Sequence, residues 1–140
     1  MSDAFLDVDV PQRLTANWAA MPGASWRVIC GWGGARLLGF VALNLAAEGG
    51  AYVENLHVAP DQKGQGVGHG LMRRAAMVVS GAGIERLWLT VLADNHGARG
   101  FYGRIGGIEG AEKPQVMYGQ AVRDLPVEWT GEGLRRLRLD

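Results

Sequence analysis

Four glycines at alternate positions, Gly64, Gly66, Gly68 and Gly70, follow an extended run that breaks at Pro60 and lead at once into a helical pattern. The chemistry suited to that spacing is anion binding. Glycines let the backbone turn with its N–H groups pointing inward, and a helix starting near Gly68 adds unpaired amides and about half a positive charge at its N-terminus. A diphosphate fits such a cradle, with Lys63, Gln65, Val67 and His69 at the intervening positions. Two commoner phosphate motifs are absent. A P-loop requires Lys and then Ser or Thr after its last glycine, where this chain has His69 and Gly70 after Gly68. Neither Gly64 nor Gly66 opens a dinucleotide fingerprint, because the sixth positions are His69 and Leu71. With 22 glycines in the chain, spacing alone would be met by simple turns, so the surrounding residues decide what the cluster does.

Three further residues carry chemistry of their own. Glu54, in the extended run AYVENLHVAP, is a general base or a solvated or arginine-paired carboxylate. Tyr102, beside Phe101 on one face of a helical segment, is a proton-donating phenol or a core aromatic. Asn95 stands where a helix N-cap would. His57, His69 and His96 lack metal-ligand spacing and no cysteine or carboxylate cluster completes a set, so no metal is expected. His57 alternates with Leu56 and Val58 as a sheet-face residue, while His69 reaches a phosphate only through its backbone. The single cysteine, Cys30, excludes an internal disulfide framework and reads as a buried filler in a reducing compartment. With no basic leader and no long apolar run, a cytoplasmic setting is expected.

Positioning these groups requires a sheet with helices. Trp26 to Trp32, Leu37 to Leu45 and Ala51 to Val58 read as an antiparallel meander, turned at Gly33-Gly34 and Gly49-Gly50. A helix from about Gly68 to Ser80 places Leu71, Ala75 and Val78 on one stripe, and a strand from Arg86 to Leu92 returns parallel to Ala51–Val58. A second helix runs from Gly97 to Ile105, with strands near Gln115 to Ala121 and Val122 to Trp129. Pro11 to Ala20 reads as a short helix. The expected fold is a mixed, mostly antiparallel α/β (α+β) sheet flanked by helices, one domain over residues 1–140. Fourteen basic residues balance fourteen acidic ones, so no field draws the chain to nucleic acid or to an acidic membrane.

Taken together, Lys63-Gly64-Gln65-Gly66-Val67-Gly68 and the later set Asn95, Ala98, Phe101, Tyr102, Arg104, Gly106 and Gly107 resemble the GNAT superfamily of acyl-CoA-dependent N-acyltransferases. The first matches its R/Q-x-x-G-x-G/A loop, with Lys63 in place of Arg or Gln. The second matches N-x-x-A-x-x-F-Y-x-R-x-G-G. The resemblance implies acetyl-CoA as acyl donor, a primary amine of unknown identity as acceptor, and direct attack in a ternary complex. It implies that residues 63–70 hold the pyrophosphate, that Leu56, His57 and Val58 pair with the pantetheine arm and supply an oxyanion amide, and that Asn95 lines the channel. Glu54 takes the place of the base and Tyr102 that of the acid. Arg73, Arg74, Arg99 and Arg104 either meet the ribose phosphate of CoA or are solvated surface arginines, and none is singled out. A CoA-binding sensor without turnover is the alternative. The segment DAFLD resembles what the family carries around its second helix, so the N-terminal strand and first helix are expected to be missing. The strand at Trp26–Trp32 is then an exposed edge, expected to be covered by a second copy of the chain in a homodimer or by another packing element.

Overall fold

The computed structural model describes residues 4–6 and 25–139; the helix expected at Pro11 to Ala20 lies outside them. The alternating segments form strands β1 (Ala4–Leu6), β2 (Trp26–Gly33), β3 (Arg36–Asn44) and β4 (Ala51–Val58). A single 3-10 turn, Pro60–Gln62, then leads into helix α1 (Val67–Gly81). Strand β5 (Arg86–Leu92) and helix α2 (His96–Arg104) follow. The chain continues through β6 (Ile108–Glu109), β7 (Lys113–Met117), β8 (Gln120–Thr130) and helix α3 (Gly131–Leu139).

The eight strands make one mixed sheet in the order β1-β2-β3-β4-β5-β8-β6, with β7 also paired to β8. Only β4 and β5 are parallel. The helices contribute to the larger core cluster on one face. There α1 buries Val67, Leu71, Met72, Ala75, Ala76 and Val79 against Val41, Leu43, Val53, Leu87 and Leu89 of the sheet, each large aliphatic side chain contributing about 1.5–3 kcal/mol. Val78, expected on that stripe, is only partly buried. The opposite face has a smaller cluster of Val28, Cys30 and Ala42 with Trp32, Leu37 and Phe40 packed on it.

Three expectations are corrected. The DAFLD segment is no counterpart of a second helix: Ala4–Leu6 is an edge strand, pairing antiparallel with Trp32, Gly31 and Cys30. An N-terminal strand is therefore present, and the chain itself covers β2 over Cys30–Trp32, where an open edge was expected. The boundary placed between Ala121 and Val122 lies earlier, because Tyr118 adopts φ +50° and Gly119 φ +77° to close the β7–β8 hairpin. Helix α3 was not foreseen; Leu134 and Leu137, three apart, are its buried residues. Pro126 sits inside β8, where a proline removes one ladder donor. The break between β6 and β7 falls across from Leu125 and Pro126, which neither strand pairs.

Candidate active site

The site begins where two strands part. The parallel pairing of β4 and β5 consists of Ala51↔Leu87 and Tyr52↔Trp88 and goes no further, whereas β4 stays paired with β3 as far as Val58. Along Val53–Val58, every other residue of β4 turns its N–H and C=O away from β3 into the gap. Leu56, His57 and Val58 border that gap. The ladder also slips between Ala42 and Leu43: Ala42 pairs with Asn55 and Leu43 with Val53, so Glu54 is the extra residue of a β-bulge. The bulge puts Glu54 and Asn55 consecutively in solvent, breaking the alternation that holds elsewhere in the strand. Glu54 has no ion pair or hydrogen bond among the described residues, so the arginine-paired alternative falls away. His57 lies against Phe40 on the face away from α1, with ring centroids 5.6 Å apart.

The gap opens toward the glycine loop. Gly64 and Gly66 take left-handed φ values of +81° and +83°, which L side chains rarely adopt. Gly66 is the N-cap of α1 and offers no side-chain hydrogen bond to it. The amides of Val67, Gly68 and His69, in the first turn, have no acceptor within the helix, while Gly70 N–H already donates to the Gly66 carbonyl. Gln65 N–H is likewise spent on the Gln62 carbonyl. Lys63, Gly64, Gln65 and Gly66 are all exposed. An uncapped helix end with exposed left-handed glycines before it is what a pyrophosphate requires, and the residues present fit that group. The loop is braced from behind. Arg36 of β3 donates from two nitrogens to the Asp61 carboxylate, one bond at 2.8 Å, and those hydrogen bonds hold the Asp61 carboxyl below its usual range.

Gly68 has a different role from its neighbours. It is helical, and a Cβ there would sit 3.2 Å from Phe101 Cζ and 3.6 Å from Val58 Cγ2. The end of β4, the start of α1 and the face of α2 thus meet at one point. Helix α2 is capped by Asn95, whose side-chain oxygen accepts from Ala98 N–H at 3.1 Å. Arg99 holds it further, donating to both Glu109 oxygens and to the Ala93 carbonyl, each at 2.8 Å; that occupies Arg99 in a structural role. Ala98, Phe101, Tyr102 and Ile105 all pack on the main cluster. Tyr102 lies 5.9 Å from the Trp129 ring, edge to face. Its hydroxyl has no hydrogen-bond partner among the described residues, and burial raises its pKa, so it is a neutral phenol free to donate. Sequence reasoning missed the support beneath it. Trp129, fully buried, donates to the Ile105 carbonyl at 3.1 Å, and a Cβ at Gly107 would fall 2.5 Å from Val127 Cγ1. The Gly106-Gly107 pair is the one signal of that contact in the sequence.

Among the described residues no group of three or more His, Cys, Asp or Glu side chains gathers, and no described helix is long and apolar enough to cross a membrane.

The acetyltransferase (GNAT) family matches residues 3–107. The chain belongs to that family. Its GNAT fold is shared with a candidate streptothricin acetyltransferase from Bacillus anthracis str. Ames, solved with acetyl coenzyme A (18% identity, TM-score 0.72, 79% of this chain and 65% of that one). The ribosomal-protein-S18-alanine N-acetyltransferase of Escherichia coli is similar at 18% identity and TM-score 0.67, covering 89% of this chain and 79% of that one. A nourseothricin acetyltransferase is similar at 28% identity and TM-score 0.68, covering 77% and 66%. The chain therefore spans just under two thirds of the length of the first and third of these structures. No curated protein sequence matches it significantly. The GNAT match begins at residue 3, in keeping with β1 as part of the fold.

Proposed function

We propose that this GNAT acetyltransferase moves an acetyl group from acetyl-CoA to a primary amine of an acceptor by direct attack within a ternary complex. One observation carries the reading: β4 leaves β5 after Tyr52 and its end meets the uncapped start of α1, so free strand amides lead on to free helix amides. Acetyl-CoA, when bound, supplies an activated thioester. The pyrophosphate is held in the loop of residues 63–70 by main-chain N–H groups other than those of Gln65 and Gly70, which are already bonded, Lys63 adding a positive charge. Leu56, His57 and Val58 offer backbone partners to the pantetheine arm as an added strand would, and Asn95, while capping α2, borders its path.

Most amines are protonated near neutral pH, and an exposed, unpaired Glu54 takes that proton directly or through water. A β4 amide aimed at the acyl oxygen stabilises the charge that grows there, an effect worth about 3 kcal/mol for one well-placed donor. Tyr102 gives its phenolic proton to the departing thiolate. Turnover is favoured over a CoA-binding sensor because an N-terminal strand, Ala4–Leu6, pairs with β2 as part of the sheet. The reading also carries a cytoplasmic setting, one domain over residues 1–140, and no nucleic-acid or membrane partner, in line with zero net charge. It carries a homodimer as well. That dimer no longer follows from an open β2 edge, and sedimentation at high micromolar concentration decides it.

The test is release of free CoA. Incubation with acetyl-CoA and a panel of small amines, polyamines, aminoglycosides and peptides yields thiol above background for at least one acceptor. Micromolar CoA binding by calorimetry with no release from any of them would leave the sensor.

A further inference from the structure

Backbone pairing of β4 with β5 ends at Tyr52↔Trp88, yet the two strands are joined once more beyond that point. The Tyr52 hydroxyl and Thr90 Oγ1 lie 2.7 Å apart, and Thr90 is two residues further along β5 than the last main-chain partner. Both side chains are on the face away from α1. The Tyr52 ring cannot swing freely, because Trp88 meets it edge to face with centroids 4.6 Å apart. Trp88 in turn is covered by the Arg86 guanidinium at 4.8 Å. Arg86 is fixed from both sides, donating to Glu128 of β8 at 2.6 Å and to the Gly49 carbonyl, just before β4, at 2.8 Å. A chain of contacts therefore runs from β8 through β5 to β4 and ends in one hydroxyl pair at the vertex of the gap.

Core packing does not account for that pair. Thr90 is exposed, and a valine would serve the strand equally well. What the hydroxyl does is add a hydrogen bond between β4 and β5 beyond their last main-chain pair, and so limit how far they separate. We propose that Tyr52 and Thr90 are positioning residues for acetyl transfer: their hydrogen bond fixes the opening of the β4–β5 gap and thereby the place of the free β4 amides that receive the acyl oxygen. This rests on the function proposed above. The bond lies at the vertex, away from the glycine loop, so its loss acts on the chemical step and leaves cofactor affinity to residues 63–70.

The experiment compares Thr90→Val, Thr90→Ser, Tyr52→Phe and the Tyr52→Phe/Thr90→Val double variant, with kcat and KM for acetyl-CoA, calorimetric CoA binding and Tm for each. Because displacing a reacting geometry by about 1 Å can cost up to about 100-fold, Thr90→Val and Tyr52→Phe are expected to lose on the order of 10-fold in kcat. KM for acetyl-CoA and CoA affinity stay within about 2-fold, Thr90→Ser restores the rate, and the double variant is no slower than either single one. The proposal is overturned if kcat stays within about 2-fold in Thr90→Val, if Thr90→Ser falls as far as Thr90→Val, or if the losses follow unfolding as read by Tm. A wild-type chain that releases no CoA overturns the underlying function instead, and this proposal with it.

Discussion

Tyr102 has one ring edge against Trp129 and a hydroxyl bonded to none of the described residues, which separates packing from chemistry within a single side chain. Replacing it by Phe keeps the packing and removes the proton. Tyr102→Phe should therefore bind CoA as the wild type does and lose about 100-fold in turnover, measured by steady-state kinetics beside calorimetry; an unchanged kcat removes Tyr102 from the mechanism. Burial raises the phenol's pKa, so its protonated form persists across the working range. Loss of activity through Tyr102 is expected only above about pH 10, and stability linked to the neutral phenol is lost over that same alkaline window as pH rises through the raised value. At this scale the sequence was informative wherever a local motif sufficed: Asn95 caps the helix that N-x-x-A implies, and Gly66 bends where the loop pattern puts it. It was silent on Tyr52 with Thr90, 38 positions apart, and on Trp129 under Tyr102, because sheet order makes those contacts and periodicity does not encode it.

Elements hold these residues through a few local features, and two of them can be tested by a single substitution each. The first turn of α1 depends on Gly66 at φ +83°, where an added Cβ meets no neighbour within 4 Å. The obstacle to a side chain there is the dihedral angle, which disfavours L residues by roughly 1–2 kcal/mol and β-branched ones most. Gly66→Val is expected to stay folded and lose CoA binding in a calorimetric titration, and retained affinity would contradict the anion cradle. Helix α2 leans on the Arg99–Glu109 pair. Hydrogen bonds from Arg99 lower the Glu109 pKa, so the support is present above the ordinary carboxylate value of about 4.3 and lost as pH falls through the depressed one. Glu109→Gln should melt lower than the wild type near neutrality and lose less on acidification, as read by Tm against pH; parallel curves would show that the pair does not brace the helix. The helices α1 and α2 were legible from their apolar spacing and their caps. The β7–β8 turn was not, since Tyr118 occupies a φ that usually calls for glycine. Neither was α3, whose nine residues open with glycines and carry three arginines around only two buried leucines.

Among the described residues, the sheet separates two apolar clusters, with helices over one and Cys30 in the other. Local patterning disclosed the meander and the parallel return, but the family resemblance set DAFLD beside a second helix, and three paired residues make too short an alternation to announce a strand. Strand β1 closes part of the edge that a partner chain was expected to fill, which is why assembly has to be measured. Cys30, the chain's only cysteine, is fully buried, and burial raises its pKa, keeping it a thiol. An aromatic disulfide reagent should find no reactive sulfur in the native chain and one equivalent after denaturation; immediate colour from native protein would place Cys30 at the surface. The practical benefit is optical. A continuous colorimetric trace of coenzyme release starts from a blank that the catalyst itself does not contaminate, and any slow upward drift without acceptor doubles as a built-in alarm that the preparation is unfolding in the cuvette.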